Sequence, residues 1–456
     1  MLADRVFETA SARLKMMDRM LQDGRCPKCE NEDGSLVTTD IWWWCSGFYP
    51  GSLWLTYEYT GDKELARLAA RHTEILSPIQ FRTDDHDVGF QLGCSYGNGY
   101  RLTGDTTYRA VICNGAHSLA TRFNPAVGCT RSWNNDRWHF PVIIDNMMNL
   151  ELLFLASELC GDSSLYDIAV RHAVTTMKNH YRDDASTFHL VDYDPETGKV
   201  LRRQTVQGFA DWSSWSRGQA WGLYGYTMVY RYTGKKRFLS HAEKIADYII
   251  GRLPDDGIPY WDFDSDSIPD DYRDASAGAI IASALVELGT LSDDEDRSTE
   301  YLATAEKILR RLASDEYLSE PGSDSGFILR HSVGNKPGND EVDTPLTYAD
   351  YYFLEAFIKY MKNQKLFLRM GVAPLNKGLS RSDWGWTDRI SVAGPFRAAP
   401  ERQRGFRQGN RGSEGAGGAK RSRMPRRGCH RQVTGGGLTG FLEEILNVSV
   451  TDSGHK

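Results

Sequence analysis

An (α/α)6 barrel, an all-α ring of six helical hairpins carrying a basic, Gly-rich C-terminal tail, is the fold this 456-residue sequence predicts. The first observation is a repeated corner: Thr60-Gly61-Asp62, Thr103-Gly104-Asp105, Cys160-Gly161-Asp162, Thr233-Gly234-Lys235 and, without the Gly, Leu291-Ser292-Asp293. A Gly there can turn left-handed to close one helix, and the Asp after it can cap the N–H groups that open the next. The second is an alternation around each corner. The segment before it is rich in aromatic, aliphatic and Gly residues, as in Gly51-Ser52-Leu53-Trp54-Leu55-Thr56-Tyr57, and the one after it carries a single apolar stripe, as in Leu239, Ala242, Ala246, Ile249 and Leu253. Helices apolar on most sides belong inside and striped ones outside, which makes two concentric layers.

Taken in order, a first helix is expected from Val6 to Leu21, where Phe7, Leu14, Met17 and Leu21 recur at roughly helical spacing. Inner segments follow near residues 51, 97, 147, 218, 277 and 348, five of them with an outer partner. The last, Asp350-Tyr351-Tyr352-Phe353-Leu354-Glu355-Ala356-Phe357, lacks one, and the N-terminal helix is unpaired, so joining the two closes a ring of twelve. The catalytic domain is expected over 1–370. From Lys377 to Arg431 there are 14 Lys/Arg against 4 Asp/Glu, with many Gly and little apolar periodicity, so 371–456 reads as a disordered or aberrant tail. Without interleaved aromatics it is no nucleic-acid module.

Composition narrows the class further. The net charge is −7, the charged fraction 25% and the aromatic fraction 11%, high enough to line a ring-binding cleft. No apolar run is long enough for a membrane span, and charges stand where a secretory signal would be apolar. Eight scattered Cys agree with a reducing compartment, so a cytoplasmic protein is expected. Cys26-Pro27-Lys28-Cys29 has no second Cys or His pair at zinc-site spacing, and no phosphate-cradling loop follows a strand; no metal, nucleotide or flavin is expected. Oligomeric state is not legible.

Three clusters carry the chemistry. Asp84-Asp85-His86-Asp87-Val88-Gly89-Phe90 sets three carboxylates and an imidazole before a helix, where Asp87 could equally be a cap. In Pro141-Val142-Ile143-Ile144-Asp145-Asn146-Met147-Met148-Asn149, a lone carboxylate interrupts an apolar segment; burying it unpaired is costly, so function is the simpler reason for Asp145. Arg217 and Trp221 stand four apart, a forked cation beside an aromatic plate on one helical face, which suits a carboxylated sugar.

The stretches His86-Asp87-Val88-Gly89-Phe90, Ser95-Tyr96-Gly97-Asn98-Gly99-Tyr100-Arg101-Leu102-Thr103-Gly104-Asp105, Ile144-Asp145-Asn146-Met147-Met148-Asn149-Leu150, Ser216-Arg217-Gly218-Gln219-Ala220-Trp221-Gly222 and Arg273-Asp274-Ala275-Ser276-Ala277-Gly278-Ala279 resemble the unsaturated glucuronyl hydrolases, glycoside hydrolase family 88, from about residue 5 to 365. The resemblance implies the same barrel, Asp87 and Asp145 as essential carboxylates, and Trp44, Trp133, His189, Gln207, Arg217 and Trp221 lining the sugar site, with His86, Thr205 and Thr344 beside them. It implies a partner too, a lyase-generated oligosaccharide ending in a 4,5-unsaturated uronic acid whose C4=C5 vinyl ether is hydrated, Asp145 giving the proton and then activating the water, Asp87 holding the substrate, and apolar surroundings together with a negative Asp87 keeping Asp145 protonated. Arg217 or Gln207 is expected to receive the uronate. Relatives often have His where this chain has Val206, a departure that bears on substrate orientation. The alternatives are an unsaturated rhamnogalacturonyl hydrolase acting on pectin fragments and a catalytically silent acidic-sugar-binding protein.

Overall fold

The computed structural model describes residues 2–320 and 322–369. Helices α1 (Leu2–Met20), α2 (Phe48–Thr60), α3 (Lys63–Glu74), α4 (Val88–Leu92) and α5 (Asn98–Thr103), the last two joined by the π turn Gly93–Gly97, lead into α6 (Thr106–Ala120). They are followed by α7 (Asn146–Cys160), α8 (Ser163–Asn179), α9 (Ser216–Thr233), α10 (Lys236–Ile250), α11 (Ala275–Leu291), α12 (Glu295–Leu312) and α13 (Thr347–Arg369). The alternation of patterns becomes an alternation of layers. In α9 all of Ser216 to Val229 is buried, whereas α3 buries only Leu65, Leu68, Ala69, His72 and Thr73. The inner ring closes through α2, the α4–α5 segment, α7, α9, α11 and α13, which packs back on α2. Outside that seam, Phe7 of α1 stacks on Tyr59 of α2 at 3.9 Å and meets Phe357 of α13 edge-on at 6.5 Å. The expected (α/α)6 barrel is the observed one.

The corners form as their residues dictate. Gly61, Gly104, Gly161 and Gly234 take φ of 68, 70, 72 and 61° and return their N–H to the carbonyls of Tyr57, Tyr100, Ser157 and Tyr230. Asp62, Asp105 and Asp162 accept from the N–H of Glu64, Thr107 and Ser164. The fifth corner differs from expectation: Ser292 is extended and Asp294, not Asp293, caps α12, while Asp293 pairs with Lys236. The first helix also starts at Leu2 rather than Val6.

Because an outer helix returns the chain before each inner one, all six inner helices run the same way and their N-terminal ends share one face of the barrel. The connections entering that face carry small antiparallel sheets that the helical pattern does not announce: β1 (Cys26–Glu30) with β2 (Leu36–Thr39), β3 (Phe123–Asn124) with β4 (Cys129–Thr130), β5 (Pro141–Ile143) with β6 (Leu190–Tyr193) and β7 (Val200–Gln204), and β8 (Ser332–Asn335) with β9 (Asp340–Thr344). Cys26 and Cys29 lie buried in β1, where burial pushes both thiols up to about 12. Further down the inner helices a charged network spans the ring. Arg231 pairs with Glu151 at 2.7 Å and Glu287 at 2.9 Å, and Lys359 pairs with Glu287 at 2.9 Å and Glu355 at 3.2 Å, holding Glu287 down at about 2. The expected tail, 371–456, lies outside the described residues.

One glycine decides how closely two inner helices meet. A Cβ on Gly89 of α4 would stand 2.5 Å from Cα of Asn149 in α7, whereas one on Gly93 would meet nothing within 4 Å. Gly89→Ala is expected to lose about 1–3 kcal/mol in denaturant unfolding, with Gly93→Ala within about 0.5 kcal/mol of the parent; equal effects of the two would remove that contact from the account.

Candidate active site

Asp87 and Asp145 occupy the positions just before α4 and α7, and neither side chain caps its helix. Five other carboxylates at helix starts, Asp62, Asp105, Asp162, Asp274 and Asp294, do cap theirs. The contact at Gly89 brings the two non-capping carboxylates together. Asn149, one turn into α7, accepts from Phe90 N at 2.8 Å and donates its amide to Asp87 Oδ1 at 3.2 Å. On the other side, Ile144 N bonds His189 O at 2.9 Å, which sets His189 Nε2 3.8 Å from Asp145 Oδ2.

Burial governs the electrostatics. Asp145 is raised to about 7 by desolvation, with Arg217, its own peptide N–H and the Trp221 indole pulling the other way. Asp87 is raised as well, first by burial and then by the charges of Asp85 and Asp145, with Asn149 and Arg82 opposing. Burial is the main cause at Asp145 and the charge of Asp145 is felt at Asp87, so the two carboxylates act as a pair that keeps a proton near neutrality. His189 is held down at about 3 and His86 at about 4, both mainly by burial, so both rings are neutral. His189 Nδ1 accepts from the N–H of Val206 at 3.0 Å and of Gln207 at 3.3 Å. That assigns the ring proton to Nε2, which faces Asp145. Asp145 Oδ2, Trp221 Nε1, His189 Nε2, His86 Nε2 and Tyr348 Oη are all buried without a hydrogen-bond partner. Such groups cost stability individually, and several around one carboxylate pair mark a place built to meet a polar ligand.

The remaining expected residues fall into two sets. Trp44, half-buried, packs on Phe90 at 5.5 Å and Tyr348 at 4.9 Å, and Trp133 meets His189, the neighbour of Asp145, edge-on at 6.2 Å. Trp221 is fully buried between Phe90 and Tyr352, leaving its N–H and not its face toward Asp145. Arg217 is 1% exposed and already engaged: Nη1 binds Asp274 Oδ2 at 3.1 Å and the Val333 carbonyl, and Nη2 binds Gly334 O at 2.6 Å. Its guanidinium lies over Trp215 at 4.5 Å and Tyr348 at 5.3 Å, which corrects the expected Arg217–Trp221 plate. Gln207 Nε2 reaches the same Gly334 carbonyl at 3.2 Å. Thr205 Oγ1 closes its own loop through Gly208 N at 2.8 Å, and Thr344 Oγ1 donates to Glu30 O at 2.8 Å, joining β9 to β1.

Sequence reasoning did not single out Asn149, Tyr348, Trp215 or Asp274. Asn149 was visible as a polar residue one turn after Asp145 in a buried helix; the others act through long-range contacts that carry no local signal. Ligand atoms of Asp85, His86 and Asp87 lie within 4.8 Å of one another. They fit a cation poorly, because Asp85 is held by Arg82 at 2.9 Å and by Asp87 N at 3.1 Å. Two surface cavities, of about 260 Å³ beside Arg330 and His331 and about 440 Å³ beside Arg122 and Arg131, are not lined by either carboxylate; chemistry, not size, places the site.

A helical barrel with two buried, proton-retaining carboxylates under an aromatic rim is the architecture of a glycoside hydrolase. Residues 15–372 match Glycosyl Hydrolase Family 88, and the chain belongs to that family. It is 47% identical over 332 residues to the unsaturated glucuronyl hydrolase of Formosa agariphila, covering 72% of this chain and 81% of that one. It is 33% identical over 331 residues to the unsaturated chondroitin disaccharide hydrolase of Streptococcus pneumoniae, covering 71% and 83%. A crystal structure of an unsaturated glucuronyl hydrolase specific for heparin superposes with a TM-score of 0.76 at 48% identity, over 79% of this chain and 98% of that one.

The raised Asp145 has a thermodynamic consequence. An unfolded Asp releases its proton near pH 3.9 and the folded one near 7, so the folded state binds more protons between, and stability falls as pH rises through that window. Asp145→Asn should therefore gain about 2–4 kcal/mol relative to the parent between pH 4 and pH 8 in urea unfolding. A difference independent of pH would contradict the assignment.

Proposed function

We propose that the enzyme removes the 4,5-unsaturated uronic acid from the non-reducing end of lyase-generated glycosaminoglycan oligosaccharides by hydrating the C4=C5 double bond. The observation that carries the reading is Asp145: a carboxyl raised to about 7 beside a second raised carboxyl is a proton donor at neutral pH. Asp145 gives its proton to C4 of the vinyl ether, and water, losing a proton back to Asp145, adds at C5. The resulting hemiketal opens at the ring oxygen, and the hemiacetal left at C1 releases the remaining sugar. Asp87, held by Asn149, positions the substrate and shares the pair's proton.

The neutral donors beside the pair suit the uronate: the Nε2–H of His189 and the indole N–H of Trp221 face Asp145, and neither makes a full hydrogen bond within the protein. Trp44 and Trp133 give the ring its apolar contacts. Arg217 acts one step back, its charge fixed by Asp274 and its donors holding β8 and, with Gln207, the Gly334 carbonyl. Val206 packs beside Trp133 against Trp138, Ile143 and Leu190, so its side chain braces the rim while its N–H orients His189.

We place the activity in residues 1–370 and in the cytoplasm. Among the described residues no helix is long and apolar enough to cross a membrane, and Cys26, Cys29, Cys45, Cys94, Cys113, Cys129 and Cys160 are free thiols, as in a reducing compartment. Removing 371–456 should leave kcat within about twofold, a larger loss giving the tail a role.

The test follows the ultraviolet absorbance of the enuronate double bond with unsaturated chondroitin, heparin and rhamnogalacturonan disaccharides in parallel. Loss is expected with the glycosaminoglycan substrates, with kcat lowered about 10²–10⁴-fold by Asp145→Asn. Loss with the pectin substrate alone, or wild-type rates in the variant, would overturn the proposal.

A further inference from the structure

We propose that the groove bordered by Arg122 and Arg131, beside the loop that carries Trp133, is an oxyanion site that takes a sulfo, phosphate or carboxylate group. The groove has a volume of about 440 Å³ and is lined by Thr83, Thr121, Asn124 and Asn134 as well as the two arginines and the rings of Phe123 and Phe140.

What sets it apart is the company the guanidiniums keep. Arg122 is 8% exposed, and its donors go to neutral acceptors: Nε to Arg131 O at 2.8 Å, Nη1 to Thr83 O at 2.7 Å, and Nη2 to Ser132 O and Asn134 Oδ1, both at 3.0 Å. Arg131 gives Nε to Trp133 O at 2.9 Å and Nη2 to Asn135 O at 3.5 Å, and lies 6.0 Å from the Phe140 ring. Among the described residues neither has a carboxylate partner within ion-pair distance. The nearby acids are already taken. Asp84 and Asp85 are bound by Arg82 at 3.0 and 2.9 Å, and Asp194 on the adjoining turn caps the N–H groups of Glu196 and Thr197.

A third cation stands near the rim: Arg171 donates to Pro125 O at 2.8 Å and lies over the Phe123 ring at 4.9 Å. A buried guanidinium lacking a counter-ion is costly, and two side by side repel. Consistently, burial holds Arg122 below the usual guanidinium pKa, with the charges of Arg131 and Arg82 adding to the effect and those of Asp85 and Asp84 opposing it. An oxyanion supplies the missing charge, met by the N–H donors that the carbonyls leave free, chiefly the Nη1 group of Arg131 and the second Nη1 hydrogen of Arg122. The same two side chains hold Ser132, Trp133 and Asn134, so an anion seated there steadies the loop that presents Trp133 to His189.

The test titrates the purified full chain with sodium sulfate and sodium phosphate at ionic strength held constant with chloride, followed by calorimetry. Saturable binding at one site is expected, weakened at least about tenfold in Arg131→Gln and in Arg122→Lys, which keeps the charge but not the fork. Absence of saturable binding to the parent protein, or equal binding by folded variants, overturns the site. The source of the anion is read with the Asp145→Asn protein, an arm that rests on the proposed function. If sulfate displaces sulfated but not unsulfated unsaturated disaccharides, the group is borne by the saccharide; if it binds without displacing either, the site serves a free ion. Failure of that protein to bind any disaccharide would count against the proposed function and leave the sulfate result standing.

Discussion

The close approach of α4 and α7 is the contact on which the site depends. Gly89 lets the backbone of one inner helix meet Asn149 of the other, and each helix begins with a carboxylate that does not cap it. Two carboxylates placed together in a dry cavity cannot both ionise cheaply, so the geometry itself keeps a proton available. The protein carries that cost because the rest of the barrel is cooperative: large aromatic side chains fill the ring, and charged pairs among Glu151, Arg231, Glu287, Lys359 and Glu355 tie four inner helices together.

A second constraint runs from α9 and α11 into the connections above them. Asp274 caps α11 and at the same time neutralises Arg217, which grips the carbonyls of Val333 and Gly334 in β8. Gln207 holds Gly334 too, and its N–H, with that of Val206, fixes the tautomer of His189. The loops that line the mouth are thus positioned from below by buried polar contacts, which is why Arg217, Gln207, Thr205 and Thr344 hold backbone rather than stand free.

Much of this was legible in the sequence because it is local. A Gly that must turn left-handed and an Asp that must cap leave their mark within four residues, and so the corners and the two layers could be read directly. Where local signals compete, the reading slipped: in Ser292-Asp293-Asp294 either acid could cap, and the pairing of Asp293 with Lys236 decides for Asp294. The two- to five-residue strands carry no usable alternation. Arg217 and Trp221 do share a helical face, but helical side chains lean toward the N-terminus, which sends the guanidinium onto Trp215 instead. Asp87 and Asp145 were legible as carboxylates without an evident partner; that burial is the larger cause at Asp145, with the mutual charge felt at Asp87, required the packing.

The central claim is that the pair protonates a double bond and does not attack the anomeric carbon. Its most direct test is turnover of an unsaturated chondroitin disaccharide in D2O, followed by NMR of the released uronic acid product. The account predicts deuterium at C4, introduced as the enuronate absorbance disappears. Release of the sugar with the double bond intact and no deuterium at C4 would contradict it.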